Sequence, residues 1–313
     1  MQRTGCTLGR VLLAFALYCV LGLAHAGPQV LVVLSESGGA HREAAEAMRA
    51  ALQEQGAGIV LRSTSVEDLH SATAQSGEAD MLVAVGARAM DAVAQSNKPT
   101  LNILVPQQSF ELARARAKLD PSEFSAIYLD QPLARHLRLI KQLLPGRGRV
   151  CVLLGPNTLE RIKSLQQAAR EQQLALDTEP VASQEDIFPA LKRLLANTQV
   201  LLALPDPLVF NRDTAQSILL TSYRAQTPLI AYSKAYVQAG ALAAVFSTPT
   251  QIGQQAAEIL LRAGQTKSLA LPAPQYPKYF SVSVNYQVGR SLSLVLENEA
   301  TLLERIKAGA ERE

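Results

Sequence analysis

Short apolar runs alternate with longer amphipathic stretches from residue 29 onward. Gln29–Leu34 reads QVLVVL, with the length and β-branched content of a buried strand. His41–Gln55 follows, and Ala44, Met48, Ala51 and Leu52 recur there at helical spacing. The same reading predicts strands over Gly58–Arg62, Asp80–Val85 and Thr100–Val105, with helices over Val66–Gln75 and Arg88–Gln95. Residues 107–124 keep no single period, although Phe110–Lys118 has a helical composition.

A second series then begins. Leu133, Leu137, Ile140 and Leu144 mark a helix face, and so do Leu159, Ile162, Leu165 and Ala169. Further helices are predicted around Ile187, Leu191 and Leu194, over Thr214–Arg224, and through Ile252, Ala256, Ile259 and Ala263. Strands are predicted over Arg149–Leu154, Leu174–Thr178, Gln199–Leu204, Pro228–Tyr232 and Leu242–Phe246. His136 stands beside Leu137 on its helix and is expected on a solvated face.

Apolar strands alternating with amphipathic helices imply parallel sheets covered on both faces. Two such series predict an α/β protein of two Rossmann-like lobes, with a break near Leu129–Pro132. Open sheets of this kind bind ligands beyond the carboxyl ends of their strands. Two lobes facing each other therefore predict a ligand cleft between them.

The first residues carry a different signal. Arg3 and Arg10 precede an uncharged run, Val11–Leu23, and Ala24-His25-Ala26 has the small-x-small form of a cleavage site. The run is shorter than the about 20 residues a transmembrane helix needs. A cleavable export signal over residues 1–26 is expected, with cleavage after Ala26 and the product in the periplasm. Cys19 follows Tyr18 rather than a small residue, so a lipid anchor is not expected.

Composition narrows the function. The chain of 313 residues carries 30 basic and 27 acidic side chains; loss of Arg3 and Arg10 leaves a net charge near +1. No basic run offers itself to nucleic acid. Cys6 and Cys19 lie in the export signal, and Cys151 sits inside an apolar strand run, as a small buried hydrophobe. There is no phosphate-binding G-x-x-x-x-G-K-[ST] loop. Ser35-x-Ser37-x-Gly39 lacks the first glycine of a nucleophile elbow. His41, His70 and His136 show no metal-ligand spacing. No enzyme activity, cofactor or metal is expected.

Four segments carry a resemblance. Pro228–Leu261 reads PLIAYSKAYVQAGALAAVFSTPTQIGQQAAEILL, and Tyr276–Leu292 reads YPKYFSVSVNYQVGRSL. Val83–Ala89 reads VAVGARA, and Leu202–Phe210 reads LALPDPLVF. In this order they resemble the type I periplasmic substrate-binding proteins of ABC transporters, in the group that includes aromatic amino-acid binders. The resemblance implies three crossings between lobes. The N-terminal lobe then holds 27–130 plus about 247–283, and the C-terminal lobe 131–246 plus about 284–313. It also implies a monomer that binds a small molecule by hinge closure and presents it to an inner-membrane ABC permease. One departure stands out. After the fourth strand, relatives of this group commonly carry an Asp-Pro element and then a Gly-Asn-x-Thr-Gly element at the first crossing, where this chain reads VPQQSFELARARAKLDPSEFSAIYLDQP. The alternative is a binding module serving a membrane sensor, or carrying an apolar cargo across the periplasm.

Strand-end positions supply the ligand-binding candidates. In the first lobe they are Ser35, Glu36 and Ser37, then Gly86, Ala87 and Arg88, then Pro106 and Gln107. In the second they are Gly155 and Asn157, Asp206, and Tyr232 with Ser233. Ser35–Ser37 precedes a helix and suits a carboxylate or phosphate, although capping alone explains Ser and Gly there. Arg88 suits an anionic group or a plain solvated face. Asp206, fixed between Pro205 and Pro207, suits an amino or hydroxyl group, or a turn before a helix.

Overall fold

The computed structural model describes residues 27–56, 58–69, 79–120, 122–265 and 269–310. The expected export signal, His70 and the second half of the expected helix Val66–Gln75 lie outside the described residues. Among the described residues no helix is long and apolar enough to cross a membrane.

The first lobe is built from β1 (Gln29–Leu34), α1 (Gly39–Glu54), β2 (Val60–Ser65), β3 (Met81–Val85), α2 (Ala87–Val93), β4 (Thr100–Val105), α3 (Gln107–Ala117) and β5 (Phe124–Tyr128). Its sheet runs β2-β1-β3-β4-β5, parallel throughout. Both faces are covered, which is why β1 and β3 read as unbroken apolar runs. Residues 66–69 form a turn where a helix was expected. The strand β5 was not expected from the sequence, where the polar Ser125 interrupts the apolar run FSAIY. Ser125 is buried, and its hydroxyl donates to Pro272 O at 2.5 Å.

The second lobe comprises α4 (Leu133–Leu143), β6 (Arg149–Leu154), α5 (Pro156–Leu159), α6 (Ile162–Glu171), β7 (Ala175–Pro180), α7 (Gln184–Leu195), β8 (Val200–Leu202), α8 (Ala215–Arg224), β9 (Leu229–Ala231), α9 (Lys234–Ala239) and β10 (Ala243–Phe246). After it come α10 (Pro249–Gly264), β11 (Ser281–Val284), α11 (Tyr286–Ser291) and α12 (Glu299–Ala310). The sheet order is β11-β10-β9-β8-β6-β7, with only β11 antiparallel. The sequence boundary at residue 283 thus falls inside β11, and that strand pairs within the second sheet.

Helix α10 returns to the first lobe. Thr248 and Gln251 cap its start reciprocally, and Pro249 occupies the first turn, where no N–H is needed. Ile252, Ala256, Ile259 and Ala263 are all at most 2% exposed and join the core of the first sheet. Burying each isoleucine there contributes about 1.5–3 kcal/mol. Gly253 allows the close approach, since a Cβ on it would stand 2.2 Å from Ala44 O in α1.

Helix α4 packs between α6 and α12, so His136 is buried and not solvated. Burial, followed by the nearby guanidinium groups of Arg161 and Arg135, pushes its pKa down to about 3.

Three segments cross between the lobes, at residues 129–132, 247–248 and 272–280. A short relay ties them: Gln131 Nε2 donates to Ser247 Oγ at 2.8 Å, and Ser247 Oγ donates to Tyr279 O at 2.6 Å. Arg135 reaches the third crossing by donating to Pro277 O, and its guanidinium stacks 4.0 Å from the Phe280 ring centroid.

Candidate functional site

A cavity of about 820 Å³ opens between the two lobes at the carboxyl ends of both sheets. Its first-lobe wall comes from the β4–α3 junction. A bulge between Ile103 and Val105 places Leu104 at φ +56°, a backbone region that costs a branched residue about 1–2 kcal/mol. The chain then turns at Pro106 into α3, whose Gln107, Gln108, Ser109, Glu111 and Leu112 face the cavity.

Asp130, in the first crossing, links the walls. One carboxylate oxygen accepts from Gln107 N at 2.7 Å, and the other lies 3.4 Å from Arg161 Nη1 of the second lobe. Tyr276, in the third crossing, donates to Gln107 Oε1 at 2.7 Å. Its ring meets Tyr128 edge-on, and Tyr128 in turn donates to Glu111. Burial, then that hydrogen bond to a carboxylate, raises the Tyr128 pKa well above the phenol range.

The second-lobe wall is organised by Asp206, only 3% exposed. Its Oδ2 accepts from Asn157 N, Thr158 N and Thr158 Oγ1 at 3.0–3.1 Å. Its Oδ1 accepts from Leu208 N at 3.0 Å and Val209 N at 3.4 Å. One carboxylate thus holds the β6–α5 junction against the loop after β8. Beside it Phe210, Tyr232 and Tyr236 form a ring cluster with centroids 5.0–6.3 Å apart. Burial first, then the bond to Tyr236, lifts the Tyr232 pKa far above its ordinary value.

Of the positions singled out by sequence, Pro106, Gln107, Asn157, Asp206 and Tyr232 line the cavity. Asp206 does so with its acceptor capacity already filled by backbone and Thr158 donors. Gly155 lies behind it, since a Cβ there would stand 2.3 Å from Asp206 Oδ1. Ser233 precedes α9, outside the cavity wall.

The remaining first-lobe positions serve local structure. Ser35 is buried, and its Oγ accepts from Ala89 N at 2.9 Å, capping α2. Gly86, at φ +90°, leaves the space that Ser35 Oγ and His41 occupy. Ala87 opens α2, and Arg88 pairs at the surface with Glu67. Glu36 and Ser37 are exposed, and Ser37 O accepts from Arg42 Nε. The structure does not bring any of these six to the cavity, because the turns after β1 and β3 fold back on each other.

Wall residues that the sequence reading passed over include Glu111, Asp130, Arg161, Arg212 and Tyr276. Asp130 and Tyr276 lie in crossings, where no periodicity marks them. Arg161 sits in the short break between α5 and α6, which the spacing had read as one helix.

The sequence profile of a family described as ABC transporter substrate binding protein matches residues 128–300. No protein with a curated description matches the chain. Among solved structures, a ligand-free, open substrate binding protein with adhesive properties from Clostridium difficile superposes with a TM-score of 0.71. It is 15% identical, over 87% of this chain and 96% of that one. An ABC domain in complex with L-Trp from Streptococcus pneumonia gives 0.58 at 14% identity, covering 89% and 98%. A periplasmic ribose ABC transporter protein from Conexibacter woesei gives 0.53 at 13% identity, covering 91% and 99%.

Proposed function

Because the chain belongs to the ABC transporter substrate-binding protein family, we propose that it is the exported, monomeric receptor of an uptake system. On this reading residues 1–26 are removed at export, and the mature protein works in the periplasm. It binds one small molecule between the lobes, closes by bending at the three crossings, and delivers the ligand to an inner-membrane ABC permease without making or breaking bonds.

The observation that carries this reading is the interlobe cavity. It is walled from both lobes and by two of the crossings, at the carboxyl ends of the parallel strands of both sheets. A guest touching both walls favours the closed arrangement by its differential contacts. The buried Gln131–Ser247–Tyr279 relay keeps the crossings in register while the lobes rotate.

Protein beginning at Gly27 is screened by thermal shift against a broad metabolite set, and hits are titrated by calorimetry. The expected result is saturable one-to-one binding with a smaller radius of gyration by X-ray scattering. Silence across the screen, or turnover of a bound compound, refutes the proposal.

A further inference from the structure

The charged groups on the cavity wall are unequally committed. Asp206 accepts five hydrogen bonds. Glu111 accepts from Tyr128 and is paired with Arg114. Asp130 is shared between Gln107 N and Arg161. Glu160 is the remaining wall carboxylate, and it is exposed.

The wall also carries two guanidinium groups, the exposed one of Arg212 and the less accessible one of Arg161. Arg161 is the less committed of the sheltered charges. Its side chain is 20% exposed and offers five N–H donors. Among the described residues its guanidinium has a single partner, Asp130, at 3.4 Å. Nearby, Arg135 is cationic and already bonded to Gln131 and Pro277, and His136 is held neutral first by burial and then by Arg161 and Arg135. A half-buried guanidinium with spare donors, beside the cationic Arg135, suits a planar carboxylate taken through two parallel bonds. The same cavity is walled by Leu133, Phe210, Tyr232 and Tyr276, which suits a flat apolar body.

An ammonium group finds no such reception. Asp206, Glu111 and Asp130 already accept hydrogen bonds from the protein, so an ammonium would have to share them, and a pair with exposed Glu160 is screened by solvent. Resting on the reading of this chain as a solute receptor, we propose that the cleft takes an aromatic monocarboxylate without an ammonium group. Its carboxylate pairs with Arg161, and its ring packs against Phe210, Tyr232 and Tyr276.

The test uses three probes that share one ring: indole-3-propanoate, L-tryptophan and tryptamine. Protein beginning at Gly27 is titrated with each by calorimetry. Indole-3-propanoate is expected to bind at least about tenfold more tightly than L-tryptophan, which must also bury an ammonium, and tryptamine is expected not to saturate. Arg161→Gln is expected to weaken indole-3-propanoate by about tenfold or more, and Arg161→Lys by less, since it keeps the charge and loses the fork. Melting of both variants near the parent temperature establishes that they fold. If Arg161→Gln does not fold, the comparison of Arg161→Lys with the parent decides.

Equal or tighter binding of L-tryptophan or tryptamine, unchanged affinity in a folded Arg161 variant, or no binding of the carboxylate overturns the assignment. A sugar or other neutral solute that binds and closes the lobes refutes the carboxylate class and leaves the receptor reading intact. Silence to every compound, with no closure, removes both.

Discussion

Asp206 offers the sharpest separation between a ligand contact and a structural clasp. Replacing it with Asn keeps the shape and removes the charge. Whichever way the amide turns, its NH2 faces backbone donors: Asn157 and Thr158 on one side, Leu208 and Val209 on the other. At least two charge-assisted bonds are lost, each contributing about 1.5–3 kcal/mol, so the variant loses about 3–6 kcal/mol before the loops relax. For a domain of 150–250 residues each kcal/mol shifts melting by about 2–4 °C, giving a fall on the order of 10 °C. Scanning calorimetry of protein beginning at Gly27 reads this directly. Gly155 supplies the control, because a Cβ there would meet the Asp206 carboxylate at 2.3–2.5 Å. Gly155→Ala alone is expected to destabilise by several kcal/mol, yet to cost little once Asp206→Ala has emptied the space. A melting temperature for Asp206→Asn within about 2 °C of the parent, or strictly additive effects in the Gly155 and Asp206 cycle, would falsify the clasp.

Three further expectations concern the rest of the molecule. Gly253→Ala forces α10 off the Ala44 carbonyl of α1 and is expected to cost at least about 1–3 kcal/mol in urea unfolding; no change in midpoint contradicts the close packing. His136 is neutral in the folded protein, with its pKa pushed down to about 3, while the unfolded chain protonates near the ordinary 6.5. Stability is therefore constant through this group above pH 6.5 and falls by up to ~1.4 kcal/mol per pH unit from there toward pH 3. His136→Gln is expected to flatten that slope, and an identical slope in the variant rejects the assignment. Burial pushes the Cys151 thiol up to about 12, so a thiol reagent is expected to leave native protein beginning at Gly27 unmodified and to label it on unfolding. Rapid labelling of the native form means that β6 is exposed.

The sequence by itself determined the layered architecture. Buried parallel strands must be apolar on both faces, and their covering helices must be amphipathic, so β1, β6 and the face of α10 are legible as patterns. The tertiary structure decided the site. Ser35, Arg88 and Asp206 share the strand-end position, yet Ser35 caps a helix, Arg88 pairs at the surface and Asp206 fastens two loops. Which of these roles a polar side chain takes depends on what another, distant segment brings beside it, and no local period encodes that. Arg161 and Asp130 meet because the chain crosses between lobes, and α10 packs onto the first lobe with Gly253 set close against α1. Periodicity records which face of an element is buried; it does not record against whom.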